Sequence, residues 1–124
     1  MLDMGETIKV GIADWKICTT PDQITTIGLG SCVGVVLYSK DADYCGLLHI
    51  LLPSSVEIKN NTNRAKFADT GIEDMRNELI KRGIGERKMI AKIAGGAAMF
   101  QFNSNSELGT IGDRNIKAVK DALK

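Results

Sequence analysis

Cys32-Val33-Gly34-Val35-Val36-Leu37-Tyr38 and Tyr44-Cys45-Gly46-Leu47-Leu48-His49-Ile50-Leu51-Leu52 are two apolar runs separated by five residues, Ser39-Lys40-Asp41-Ala42-Asp43. Two such runs around a short polar loop predict a β-hairpin. Pairing Tyr38 with Tyr44 at the loop ends sets Val33 opposite His49 and leaves Cys32 one residue away. The hairpin thus brings a cysteine and the chain's only histidine onto neighbouring strands.

Upstream, Ile8, Val10 and Ile12 alternate with Thr7, Lys9 and Gly11, the period of a half-buried strand, and Trp15 and Ile17 continue it after a kink. Pro21-Asp22 marks a turn, and the β-branched run Ile24 to Ile27 favours extended chain leading into Gly28-Leu29-Gly30-Ser31-Cys32. Downstream, Ser54 to Asn63 is polar and aperiodic, a surface loop beside the histidine. From about Lys66 to Arg82, Ala68, Ile72, Met75 and Leu79 recur at helical spacing, with Gly83 as the stop. Met89, Ala91 and Ile93 predict a further strand ending at Gly95-Gly96, with Met99, Phe100 and Phe102 packed near it and a loop over Asn103 to Glu107. Ile116, Val119 and Leu123 define a last apolar helical face that runs to Lys124 without a stop signal. The expectation is one domain over residues 1–124, cut short at its C-terminus.

With 44% hydrophobic residues in 124, the chain has enough apolar material for a core without a disulfide or metal staple. Sixteen basic residues against fifteen acidic ones argue against a nucleic-acid or membrane-surface partner. The longest apolar stretch, Gly46 to Pro53, falls far short of the ~20 residues of a membrane-spanning helix. Asp3, Glu6 and Lys9 interrupt any secretory leader, so a cytoplasmic location is expected. Cys18, Cys32 and Cys45 stand singly, an odd number with no zinc-like spacing, which reads as free thiols and no metal.

A cysteine nucleophile needs a base, and a single histidine makes His49 the forced choice of imidazole for Cys32. The ordinary readings compete with this one. A free cysteine is usually a small buried hydrophobe, which is the reading for Cys18 and Cys45. A lone histidine in an apolar run is usually a satisfied core residue. Gly95-Gly96 reads as close backbone packing, because no phosphate-loop lysine follows.

Thr26-x-Gly28-Leu29-Gly30-Ser31-Cys32 followed by Gly46-x-x-His49-x-x-Leu52-Pro53 resembles the CheD family of chemoreceptor glutamine deamidases. Ala68-Asp69, Ala91-Lys92-Ile93-x-Gly95-Gly96-Ala97-x-Met99-Phe100 and Ile111-Gly112-x-Arg114-Asn115 extend the likeness along nearly the whole chain. Family members typically continue past the second helix into strands with a glycine-rich, arginine-containing segment that is absent here. The resemblance implies an α+β layered sandwich of mostly antiparallel strands covered by helices, cysteine-hydrolase-like and independent of any cofactor. It implies Cys32, His49 and Thr26 as the catalytic set. Gly28, Gly30 and Ser31 would shape the substrate or oxyanion site, with backbone amides near Ser31 and Cys32 as donors. The implied substrate is glutamine on the cytoplasmic helices of methyl-accepting chemoreceptors, with glutamyl methyl esters as a second substrate class. The implied partners are the CheC phosphatase and, through it, CheY. Two other readings stand beside this one: a non-catalytic adaptor for receptor or CheC, and a thiol hydrolase of small amides or esters.

Overall fold

The computed structural model describes residues 5–56, 62–97 and 110–124. β4 (Val33–Tyr38) and β5 (Tyr44–Ile50) form the expected antiparallel hairpin and lie at the centre of a four-stranded antiparallel sheet. Its order is β2-β5-β4-β6, with β2 (Asp14–Thr19) on one edge and β6 (Ile90–Gly95) on the other. β1 (Thr7–Lys9) and β3 (Gln23–Thr25) pair in parallel as a separate small sheet. The extended stretch expected upstream is therefore two strands, broken at Ala13, whose φ is +59°. Trp15 and Ile17 do resume it after the break, as anticipated.

The hairpin register differs by one residue from the sequence-based expectation. Tyr38 pairs with Cys45 rather than Tyr44, so Gly34 faces His49 and Val33 faces Ile50. Burial explains the choice. In the observed register Val33, Val35 and Leu37 lie on the same face as Leu48 and Ile50, and all five join one core cluster with Ile72, Met75 and Leu79 of the first helix. A one-residue slip would send Leu48 and Ile50 to the opposite face from the three β4 residues and split that cluster.

α1 spans Ala68–Lys81 and buries the anticipated stripe Ala68, Ile72, Met75 and Leu79 against this face. It packs closely because Gly46 and Gly71 leave room for Met75 and Leu48. Its stop is as expected: Gly83 adopts φ +120° and donates to the Ile80 carbonyl. α2 (Ile111–Ala122) opens on a capping box between Thr110 and Asp113 and buries Gly112, Asn115 and Val119. It ends at Ala122 with Leu123 as its cap, rather than running to Lys124. Among the described residues the architecture is α+β, with an antiparallel sheet covered by two helices on one face. Met99, Phe100, Phe102 and the stretch Asn103 to Glu107 lie outside the described residues, as does part of the Ser54 to Asn63 loop.

Candidate active site

Strand alternation puts Asp14, Leu47, His49, Gly34 and Val36 on the sheet face opposite the helices. Cys32 lies in the bend immediately before β4, next to Val33, which pairs with Ile50 beside His49; among the described residues no hydrogen bond joins its sulfur to the His49 ring. Thr26 reaches over this face from the segment after β3: its methyl and Leu29 pack against the bare Cα of Gly34, the residue opposite His49. A cleft of about 290 Å³ opens alongside, lined by Thr26, Leu29, Gly34, Val36, Leu47 and Lys92 among others.

His49 is fully buried, and its Nδ1 lies 2.7 Å from the Thr26 hydroxyl. That hydroxyl also donates to the Val10 carbonyl at 2.7 Å. A hydroxyl has one hydrogen and a carbonyl can only accept, so the Thr26 proton belongs to Val10 and its lone pair faces the ring. Nδ1 must then be the protonated nitrogen. Nε2 carries the lone pair, and among the described residues it has no hydrogen-bond partner. The backbone holds the same group from behind: Ala13 donates to the His49 carbonyl at 2.9 Å, and Asn63 Nδ2 donates to the Ala13 carbonyl at 3.2 Å.

Cys32 is 6% exposed. Burial pushes its thiol up from the ordinary value, with its own backbone amide offsetting part of the rise, while burial pushes the His49 imidazole down. Both shifts act toward the uncharged forms.

The turn from Gly28 to Cys32 is held by its carbonyls. Leu29 O accepts from the Cys32 amide at 2.7 Å, Gly30 O from Ala97 at 2.9 Å, and Cys32 O from Gly96 at 2.8 Å. Ser31 O accepts from Asn115 Nδ2 at 2.9 Å. Gly28 and Gly30 take φ of +65° and +50°, a region that side chains disfavour. The Cys32 amide, one of the donors expected for an oxyanion, is thus engaged within the turn. The amides of Gly30 and Ser31 have no partner among the described residues. Gly95-Gly96 packs as expected: a Cβ at Gly95 would strike the Cys32 carbonyl, and one at Gly96 would strike Ile116.

Cys18 and Cys45 are free thiols directly opposed across β2 and β5, with sulfurs 3.9 Å apart. Cys18 is buried as anticipated, whereas Cys45 is only half-buried. Among the described residues no three or more His, Cys, Asp or Glu side chains converge to hold a metal, and no helix is long and apolar enough to cross a membrane. Two contributors escaped the sequence reading: the Val10 carbonyl, which leaves no side-chain signal, and Asn115. Asn115 did carry a signal, since it stands four residues before Val119 on the apolar face of α2.

The sequence profile of CheD, chemotactic sensory transduction, matches residues 51–124. A probable chemoreceptor glutamine deamidase CheD from Lachnoclostridium phytofermentans is 52% identical over 120 residues, covering 97% of this chain and 74% of that protein. One from Caldanaerobacter subterraneus is 50% identical over 120 residues, with the same shares covered. The chemoreceptor glutamine deamidase CheD of Bacillus subtilis is 50% identical over 117 residues, covering 94% of this chain and 70% of that protein. Identity at this level over almost the full chain, joined to the profile match over its second half, makes this chain a member of the CheD family.

Proposed function

We propose that this chain hydrolyses glutamine side-chain amides on chemoreceptors to glutamate, using Cys32 as nucleophile, His49 as acid and base, and Thr26 to orient the imidazole. The curated relatives bear the name of that activity. The observation that carries the residue assignment is the Thr26 hydroxyl, whose one proton goes to Val10 and whose lone pair faces Nδ1. Nε2 is thereby left basic and without a partner among the described residues.

In this mechanism Nε2 takes the Cys32 proton as sulfur attacks the carboxamide carbon. The oxygen of the tetrahedral adduct becomes negative, and the amides of Gly30 and Ser31, which have no partner among the described residues, are the proposed donors to it. The imidazolium then gives its proton to the nitrogen, ammonia departs, and a thioester remains. Neutral His49 next draws a proton from water, which attacks the thioester and releases glutamate and the Cys32 thiol. A glutamyl methyl ester enters the same thioester with methanol as the leaving group.

Cytoplasmic receptor helices are the proposed substrate surface, and CheC, with its link to CheY, the proposed regulatory partner. The test is peptide mass mapping of a receptor cytoplasmic fragment incubated with the protein or with its Cys32→Ala variant. The expected result is amide-to-acid conversion at defined glutamines with the unaltered protein alone. Conversion by Cys32→Ala would refute the nucleophile. Absence of conversion by folded protein on a competent substrate would favour the adaptor reading.

A further inference from the structure

The β4-β5 ladder stops at Val33↔Ile50, immediately beside the two residues that must cooperate. Beyond that pair the ladder bonds are redirected: the Cys32 amide turns to Leu29 and the Leu51 amide turns to Lys66. The carbonyls of Ser31 and Leu51 are left converging at the open end, two acceptors with no donor between them. Asn115 fills this position. Fully buried on α2, it donates through one nitrogen to Ser31 O at 2.9 Å and to Leu51 O at 3.1 Å. A primary amide nitrogen has two hydrogens and no charge, which suits it to joining two carbonyls in a dry setting. Ser31 adjoins Cys32, and Leu51 lies two residues beyond His49. The strut therefore spans the nucleophile segment and the base segment where the sheet no longer does.

We propose that Asn115 is a positioning residue that sets the spacing of Cys32 and His49 by tying the Ser31 and Leu51 carbonyls to α2. It touches neither the reacting atoms nor the substrate. This inference rests on the Cys32–His49 reading above. The glycines around it fit the role: a Cβ on Gly112 would collide with the Ala97 and Gly96 carbonyls, so α2 reaches the nucleophile turn only because that position is bare. Gly96 and Ala97 in turn hold Cys32 O and Gly30 O, and the turn and the helix behind it form one packed unit.

The test reads Cys32 without needing any receptor. The full chain is alkylated with iodoacetamide across the neutral pH range, and modification of the Cys32 peptide is timed by mass mapping, alongside a thermal unfolding midpoint. His49→Gln defines the histidine-dependent part of the rate. Asn115→Asp fills the same volume, but a protonated carboxyl has one hydrogen and cannot bridge two carbonyls. Asn115→Asp is expected to keep the fold and to lower the histidine-dependent rate about tenfold or more. In the His49→Gln background it is expected to add no further loss. Asn115→Ala should behave alike where it folds. A folded Asn115→Asp that retains the full histidine-dependent rate, or one that slows Cys32 equally in both backgrounds, would overturn the proposal. If His49→Gln leaves the parent profile unchanged, the dyad itself fails and the strut has nothing to position.

Discussion

Thr26 and His49 are joined by a hydrogen bond whose direction is determined by a third group: with the Thr26 proton given to Val10, the ring must donate from Nδ1. An uncharged hydroxyl orients the imidazole here without providing a countercharge for its protonated form. Thr26→Val keeps the β-branched shape, strands Nδ1 and the Val10 carbonyl, and frees the tautomer. It should reduce turnover by about tenfold or more, a loss bounded above by the about 10²- to 10⁴-fold that general acid-base help supplies. Thr26→Ser should retain most activity. Nitrogen-15 NMR of His49 checks the cause: an Nδ1–H tautomer in the parent and in Thr26→Ser, and a mixture in Thr26→Val.

The pH profile follows from two burial shifts of opposite sign. His49 is pushed down and Cys32 is pushed up, so the neutral pair should persist below an ordinary imidazole value of about 6.5 and above an ordinary thiol value of about 8.5. Activity measured against pH should show a broad plateau with its acid limb below about 6.5. Stability shares these limits. On the acid side the unfolded chain binds the His49 proton first, so stability is lost as pH falls below about 6.5. On the alkaline side the unfolded chain releases the Cys32 proton first, so stability is lost as pH rises past about 8.5. His49→Gln should flatten the acid limb of a denaturant midpoint measured against pH. Asp14 is opposed to His49 in register, but its Oδ1 accepts from the Trp15 amide.

Cys18 and Cys45 face each other in a directly opposed antiparallel pair, with their sulfurs 3.9 Å apart. Opposed Cα atoms at about 4.5–5.5 Å fall within disulfide range. Diamide, which accepts two electrons and two protons from a pair of thiols, should join them and leave Cys32 free. Non-reducing peptide mapping should find the Cys18–Cys45 cross-link with the two thiol hydrogens lost. Simple alkylation should reach Cys18 late, because burial, then the charge and hydrogen bond of Cys45, push its thiol up to about 11.

Gly112→Ala introduces a methyl where the Ala97 and Gly96 carbonyls already sit. Overpacking of this kind destabilises by about 1–3 kcal/mol. A lower midpoint in thermal unfolding is expected, together with altered Cys32 alkylation, because Gly96 and Ala97 donate to the carbonyls of Cys32 and Gly30.

The hairpin and the α1 stripe were legible because each burial pattern is local: apolar runs around a polar loop, and Ala68, Ile72, Met75 and Leu79 at helical spacing. The register was not. Loop length admits two pairings that differ by one residue, and the arbiter is which side of β5 meets α1, a contact that strand letters alone do not encode. Cys32 and His49 were paired as candidates by the hairpin and by His49 being the chain's only histidine, whereas Thr26 entered only through the resemblance to a family, since a threonine in a β-branched run carries no signal of its own. What decides the histidine tautomer, the Val10 carbonyl, is backbone and could not be read from side-chain identities. Asn115 is intermediate. A polar residue on a buried stripe announces that it has partners, but its two partners lie 84 and 64 residues away.

That sequence distance affects how the protein is made. The hairpin can form once residue 50 has left the ribosome, whereas the turn that presents Cys32 is completed from the other end of the chain, by Gly96, Ala97 and Asn115. A nascent chain therefore passes through a stretch of synthesis in which thiol and imidazole exist while the carbonyls of Ser31 and Cys32 still lack the partners that Gly96 and Asn115 later supply.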